Sequence, residues 1–340
     1  MDKSRSLWTV EIMSWVNLIL TLSTILAPTY NIEPNIPRCG AQVAVYTGTG
    51  TWHDGVMAFE HMLTWMNITW EEIDAWDVNN RNLTQLYRAF WMPGGWAANY
   101  INDIDSSGVN NIRQLVSSGR GYIGTCAGAY YAADHVIWEG VRYDYPLKLF
   151  NGHADGSIHV MAPWPKYNMT MLNMNMSHPI NTSGNATELM LYYGGPEFYP
   201  VPNQNANYSV IATWNETGNA AIISFTYGLG RVLLIGPHPE IEEDSIRDGS
   251  SFADQFDDQG SDWPFMKCAM KWVLDLNETD TLTGDLNKDG IVDILDIAII
   301  AKAFWAHEED ERWNSDADLN GDAVVNIIDI SLAAKEFGKC

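Results

Sequence analysis

The sequence predicts an α/β protein with a small, all-helical module at its C-terminal end. Three observations point there. Between residues 40 and 276, short apolar runs alternate with stretches of helical periodicity, the signature of a mostly parallel sheet with helices on both faces. Several of those runs stop at glycine-rich turns. The last sixty residues repeat one acidic loop, each copy leading into an apolar helical pattern.

Taken in order, the chain begins with Lys3 and Arg5 and then a mostly apolar run at 15–27. That run is short for a membrane span and reads as the core of a secretion signal, with a retained anchor as the alternative. Residues 1–38 are therefore assigned to a signal peptide or anchor plus linker, and 39–277 to the main domain. A strand is expected at 42–47, ending in Gly48-Thr49-Gly50, and a helix at 55–66. The next strand, 89–92, ends in Pro93-Gly94-Gly95, and a helix follows at 108–118. The run Gly121-Tyr122-Ile123-Gly124-Thr125-Cys126-Ala127-Gly128 then passes from strand into helix. From 135 to 236 the pattern turns β-rich, with alternation at 157–162, 189–193, 208–214 and 220–226. A last buried strand at 231–235 ends in Gly236-Pro237-His238-Pro239-Glu240, and an amphipathic helix at 262–275 closes the domain. Residues 278–284 form a linker, and 285–340 the terminal module.

Composition narrows the function. The 340 residues are 46% hydrophobic and 12% aromatic, which fits a packed globular chain. A net charge of −24 argues against nucleic acid or an anionic membrane as partner. Nine Asn-x-Ser/Thr sequons, at Asn67, Asn82, Asn168, Asn175, Asn181, Asn185, Asn207, Asn215 and Asn277, point to an exported protein bearing N-linked glycans. Six of them fall between 168 and 217, which would make that region a sugar-covered face. In an oxidising compartment the four cysteines allow a bridge. Cys39 precedes the first strand and Cys268 lies on the last helix, which favours Cys39–Cys268; Cys340 could instead pair with either or with another chain.

The chemistry concentrates at three strand ends, where open α/β sheets place their sites. In Gly124-x-Cys126-x-Gly128 a thiol sits on a tight strand-to-helix turn, flanked by small residues. The N–H of Ala127 and those of Gly94 and Gly95 are candidate oxyanion donors. His238 and Glu240 supply a base and the group that orients it. Together these residues resemble the class I glutamine amidotransferase superfamily, whose Cys-His-Glu triad maps onto Cys126, His238 and Glu240. With Tyr46-Thr47-Gly48 and Tyr192-Tyr193-Gly194-Gly195-Pro196 added, the chain more closely resembles the family named for the N-terminal domain of biotin-protein ligase. That resemblance implies a flavodoxin-like fold over about residues 41–275 and leaves the activity open. Two readings stand at this point. One is a cysteine amidase or peptidase; the other is a non-catalytic, glycosylated scaffold or binding subunit of a surface assembly.

The repeated acidic loop reads Asp285-x-Asn287-x-Asp289-Gly290-Ile291-x-Asp293-x-x-Asp296, then Asp318-x-Asn320-x-Asp322-x-Val324-x-Asn326-x-x-Asp329. Oxygen-bearing side chains recur at loop positions 1, 3, 5, 9 and 12, and the carbonyls of Ile291 and Val324 fall at position 7. This spacing wraps a chain around one hard cation, so two Ca2+ ions are expected. Each loop is followed by a helical pattern, and neither is directly preceded by one. The duplicated half-hand resembles a dockerin, which implies an extracellular or cell-surface location and a cohesin-bearing partner or scaffold. It leaves a homo-oligomer open. Ala323 stands where such loops usually place glycine, which predicts strain at the turn.

Overall fold

The computed structural model describes residues 41–181, 185–201, 208–243, 245–256, 260–275, 283–287, 292 and 294–337. The expected leader or anchor at 1–38 lies outside them, as do Cys39, Cys340, Asn207, Asn277, Asp289, Ile291 and Asp293. Among the described residues no helix is long and apolar enough to cross a membrane.

The main domain runs β1 (Val43–Tyr46), α1 (His53–Trp65), β2 (Trp70–Ile73), α2 (Ala75–Asn80), α3 (Leu83–Leu86), β3 (Ala89–Met92), α4 (Ala97–Asp103), α5 (Ser106–Ser117), β4 (Gly121–Thr125) and α6 (Ala127–Ala132). It continues through β5 (Ala133–Trp138), β6 (Val141–Asp144), β7 (Phe150–Gly156), β8 (Asn168–Met174), β9 (Thr187–Tyr192), β10 (Glu197–Pro200), β11 (Tyr208–Trp214), β12 (Ala220–Tyr227) and β13 (Gly230–Ile235) to α7 (Trp263–Val273). The sheet order is β2-β1-β3-β4-β13-β12-β10-β7-β5-β6, with β11 paired to β12 and β8, and β9 paired to β8. Strands β2, β1, β3, β4 and β13 are mutually parallel. From β12 onward the pairing is antiparallel except for β5 with β7.

Period-two alternation assigns the faces of the parallel half. Val43 and Val45 point to one side, where Phe59 and Met62 of α1 and Met266 and Met270 of α7 cover them. Ala44 and Tyr46 point to the other, where Ile112 and Leu115 of α5 and Tyr100 of α4 pack. Each buried Val, Leu, Ile, Phe or Met side chain here contributes roughly 1.5–3 kcal/mol by leaving water. Phe59 stacks on Trp91 with ring centroids 3.7 Å apart. Asp105 caps α5, accepting hydrogen bonds from the N–H groups of Ser107 and Gly108.

One local expectation is corrected, and one edge strand was not foreseen. Residues 157–162 are a turn, not a strand: Met161 and Ala162 N–H both donate to Ile158 O. Their apparent alternation arises because Ile158, Met161 and Ala162 plug the core from that turn. The edge strand β2, Trp-Glu-Glu-Ile, was not legible because its two glutamates interrupt the apolar run; charged edges of this kind resist pairing with other chains.

The terminal module contains α8 (Ile294–Lys302) and α9 (Ile327–Glu336), with one 3-10 turn, Ser315–Ala317, before the second acidic loop. Val292, Ile300, Val325 and three alanines form its fully buried core among the described residues.

Candidate active site

Strand β4 lies between β3 and β13, and the register sets their ends level. Met92 is opposite Gly124, and Ile235 is opposite Thr125. The next residues, Pro93-Gly94-Gly95, Cys126 and Gly236-Pro237-His238, therefore emerge side by side at the carboxyl edge. Cys126 has φ 48° and ψ −104°, a conformation that costs an L-residue about 1–3 kcal/mol. The fold imposes it: Cys126 N–H donates to Ile235 O at 2.8 Å, and helix α6 starts at the next residue. Gly128 N–H donates to Pro93 O at 2.9 Å, an approach so close that a Cβ on Gly128 would overlap Met92 O. The N–H groups of Gly95 and Ala127 make no backbone hydrogen bond among the described residues, which leaves them available to an incoming oxygen.

His238 and Glu240 are both 1% exposed, and His238 Nδ1 meets Glu240 Oε1 at 2.8 Å. His238 Nε2 is buried without a nitrogen or oxygen partner. A Cβ on Gly94 would come within 2.6 Å of His238 Cε1 and 3.5 Å of Cys126 Cβ, so imidazole and thiol converge over this glycine. Burial opposes a charge on the imidazole, but the Glu240 carboxylate and the Cys126 thiolate outweigh it and push the His238 pKa up to about 10. The thiol is 6% exposed and contacts Tyr193 O at 3.6 Å. Trp52 sets its ring edge-on to His238, 5.0 Å between centroids, and Phe252 backs Trp52 at 4.8 Å.

Two cavities meet at Cys126. One, about 170 Å³, is bounded by Thr51, Trp52, Tyr193 and His238. The other, about 190 Å³, is walled by Trp96, Trp138, Trp164 and Tyr130. Gly95, Trp96, Cys126 and Trp164 line both.

The fold thus brings together Cys126, His238, Glu240, Gly94, Gly95 and Ala127. Sequence reasoning missed the aromatic walls. Trp96 directly follows the Pro93-Gly94-Gly95 turn, a local signal, whereas Trp138 and Trp164 arrive from distant segments with none. Of the expected glycan sites, Asn67, Asn82, Asn168, Asn175, Asn185 and Asn215 are exposed. Asn181 is the exception: it is 7% exposed and its Nδ2 donates to Asn185 O at 3.2 Å, so the folded chain does not present it for a glycan. Cys268 is half-buried on α7, and its expected partner Cys39 lies outside the described residues.

The second acidic loop is wrapped by its own side chains. Asp318 accepts from the N–H groups of Gly321, Asp322 and Ala323, and Asp322 accepts from Val324 N–H. Buried Asp329 accepts from Leu319, Asn320 and Asn326 N–H. Asp296 accepts likewise from Leu286 and Asn287 N–H in the first loop. Among the described residues no three His, Cys, Asp or Glu side chains form a compact metal cluster. The donors are instead aspartates alternating with Asn320 and Asn326, all hard oxygens, a set that suits Ca2+. Ala323 takes φ 65°, the strained turn expected from its position.

A family model described as biotin-protein ligase, N terminal, matches residues 41–263, and one described as dockerin type I domain matches residues 283–337. A biotin--protein ligase of Schizosaccharomyces pombe (strain 972 / ATCC 24843) is 26% identical over 182 residues, 49% of this chain and 27% of that protein. The matched part is thus little more than a quarter of that relative's length. Among solved structures, a glutamine amidotransferase is 16% identical with a TM-score of 0.48, covering 69% of this chain and 100% of that one. PurLQS from Thermotoga maritima is 14% identical with a TM-score of 0.45, covering 68% and 99%.

Proposed function

The chain belongs to the biotin-protein ligase N-terminal family and carries a dockerin type I domain, and from that premise we propose that it is a surface-tethered cysteine amidase. The observation that carries the reading is the convergence of Cys126, on its positive-φ turn, with the buried His238–Glu240 pair over Gly94.

In the reaction, the Cys126 thiolate attacks the amide carbonyl carbon and a C–S bond forms. The carbonyl oxygen takes the negative charge, facing the N–H groups of Gly95 and Ala127. Collapse breaks the C–N bond, and the His238 imidazolium gives its proton to the departing amine. Water then attacks the thioester while His238 takes its proton, the C–S bond breaks, and the carboxylic acid leaves. Glu240 holds the imidazole through Nδ1 and stabilises its charged form.

The dockerin supplies the address. The sequence of residues 285–296 and 318–329 spaces oxygen donors along two loops, and each Ca2+ would neutralise the clustered aspartates and hold α8 and α9 in shape. A cohesin-bearing partner at the cell surface is the counterpart of such a module. Ile294, Leu295, Ile327 and Ile328, at positions 10 and 11 of both loops, are 65%, 57%, 61% and 50% exposed, which gives this surface an apolar contact patch. The exposed sequons are consistent with glycosylation of the exported chain.

Labelling with an iodoacetamide probe tests the catalytic claim. Wild type is expected to react faster than a free thiol in solution, with labelling lost in Cys126→Ala and slowed in His238→Gln. A wild-type rate no greater than that of the free thiol would leave the domain as a non-catalytic scaffold.

A further inference from the structure

The two cavities beside Cys126 differ in a way that orients a substrate. His238 lines only the smaller one. Under the amidase reading, the departing nitrogen must lie where the imidazole can protonate it. The amine half of the substrate then occupies the cavity of Trp52 and His238, and the acyl half is left the larger, aromatic one.

The aromatic cavity is selective by construction. Trp96, Trp138 and Trp164 stand about the same distance from one another, with centroids 5.9 Å, 6.0 Å and 5.9 Å apart. Trp138 meets Trp96 at 79° and Trp164 at 74°, so the rings form walls and do not close into one stack. Tyr130 meets Trp138 edge-on at 80°, and its hydroxyl is spent on Gly194 O at 3.1 Å. Apart from the Cys126 thiolate itself, no described lining residue carries a charge. The acyl half of glutamine bears an ammonium and a carboxylate, and each would lose hydration here without gaining an ionic partner. A cavity of roughly 150 Å³ lined by apolar side chains is enough to bind benzene, and this one measures about 190 Å³.

Resting on the amidase reading, we infer that the Trp96–Trp138–Trp164 cavity is the acyl-side specificity pocket, taking one uncharged aromatic ring, so that the substrate is an amide of an aryl-bearing acid and not glutamine. An aromatic ring in this pocket would pack on the free edges and faces of these mutually touching indoles.

The test uses the full chain as Cys126→Ala, which cannot turn over, and reads binding by calorimetry. The ligands are N-acetyl-phenylalanine amide, N-acetyl-glutamine amide and free glutamine. The phenylalanine amide is expected to bind at least about tenfold more tightly than either glutamine compound, the scale set by burying one ring. Adding Ala98→Trp, at an exposed position on the pocket lining, should fill the space and weaken the phenylalanine amide by about tenfold or more. Equal binding of the ligands, no binding of the phenylalanine amide, or indifference to Ala98→Trp would each overturn the assignment. Alkylation of wild type separates the two claims. Fast alkylation without aryl preference sinks the pocket and spares the amidase. Aryl binding with slow alkylation sinks the amidase and keeps the pocket as an aryl-binding site.

Discussion

Among the turns that hold a non-glycine residue at positive φ, those at Cys126 (48°) and Ala323 (65°) sustain it by different means. The Cys126 turn is clamped from behind by the sheet, with β3 and β13 on either side and a helix starting at once. Its neighbours Thr125 and Ala127 are almost fully buried. The Ala323 turn has no comparable core. It is held by carboxylate and amide oxygens accepting backbone N–H groups, with Asp318, Asn320 and Asp322 contributing in sequence. One turn is preorganised by apolar packing and keeps its shape without a ligand. The other is preorganised by the same oxygens that a cation would compete for.

The largest effect expected from this contrast is that of chelation. An ion present at a hundred times its Kd stabilises the form that binds it by about 2.7 kcal/mol. The module's buried core among the described residues, Val292, Ile300, Val325 and three alanines, is too small to replace such a contribution. Removing calcium should therefore unfold the region 283–337, abolish binding to a cohesin and leave the main domain's cooperative transition where it was. Hydrogen exchange resolved by segment reads both halves at once. A module whose α8 and α9 amides stay protected after chelation contradicts the calcium assignment.

The sequence exposed the two regions unequally. The dockerin module was legible because its spacing is local, and in the second loop the same spacing that suits a cation also writes the capping box of Asn326 and Asp329. The Cys126 site was legible at its strand ends, since β3 and β13 are apolar runs closed by Pro93 and Gly236, and β4 runs into Cys126 between Gly124 and Gly128. Its walls were not. Trp138 lies on β5 and Trp164 in a loop before β8, and they meet only because the sheet returns to the site. No periodicity marks a residue whose partners are far along the chain. The error at 157–162 has the same root: Ile158 and Met161 are core residues delivered by a turn, and alternation alone cannot tell them from a strand.

A smaller effect sharpens the buried half of the contrast. The folded-state pKa of His238, about 10, lies above the ordinary imidazole value of 6.5. A raised pKa means that the folded state holds the proton more tightly than the unfolded state does. The stabilisation is then fully present below about pH 6.5 and is lost as pH rises toward 10. Denaturation of wild type and His238→Gln across that range should show their stability difference shrinking as the medium becomes alkaline. A difference that is flat, or that grows with pH, would mean that His238 is buried neutral and that the ion pair with Glu240 is not formed.

The smallest effect concerns Ala323. A left-handed conformation costs an L-residue roughly 1–2 kcal/mol, and glycine removes that cost. Glycine also loses more entropy on folding, which offsets about 0.4–1 kcal/mol of the gain. The balance for Ala323→Gly is a stabilisation of about 0.5–1 kcal/mol, or a few-fold tighter Ca2+ at the second loop. The first loop already has Gly290 at the equivalent position and should be unchanged, so a two-site calcium titration carries its own control. Tightening confined to one site fits a turn whose strain is borne by its polar loop. Unchanged or weaker binding would show that the oxygens of Asp318 and Asp322 accommodate Ala323 at no cost, and the comparison with the sheet-clamped Cys126 would lose its energetic basis.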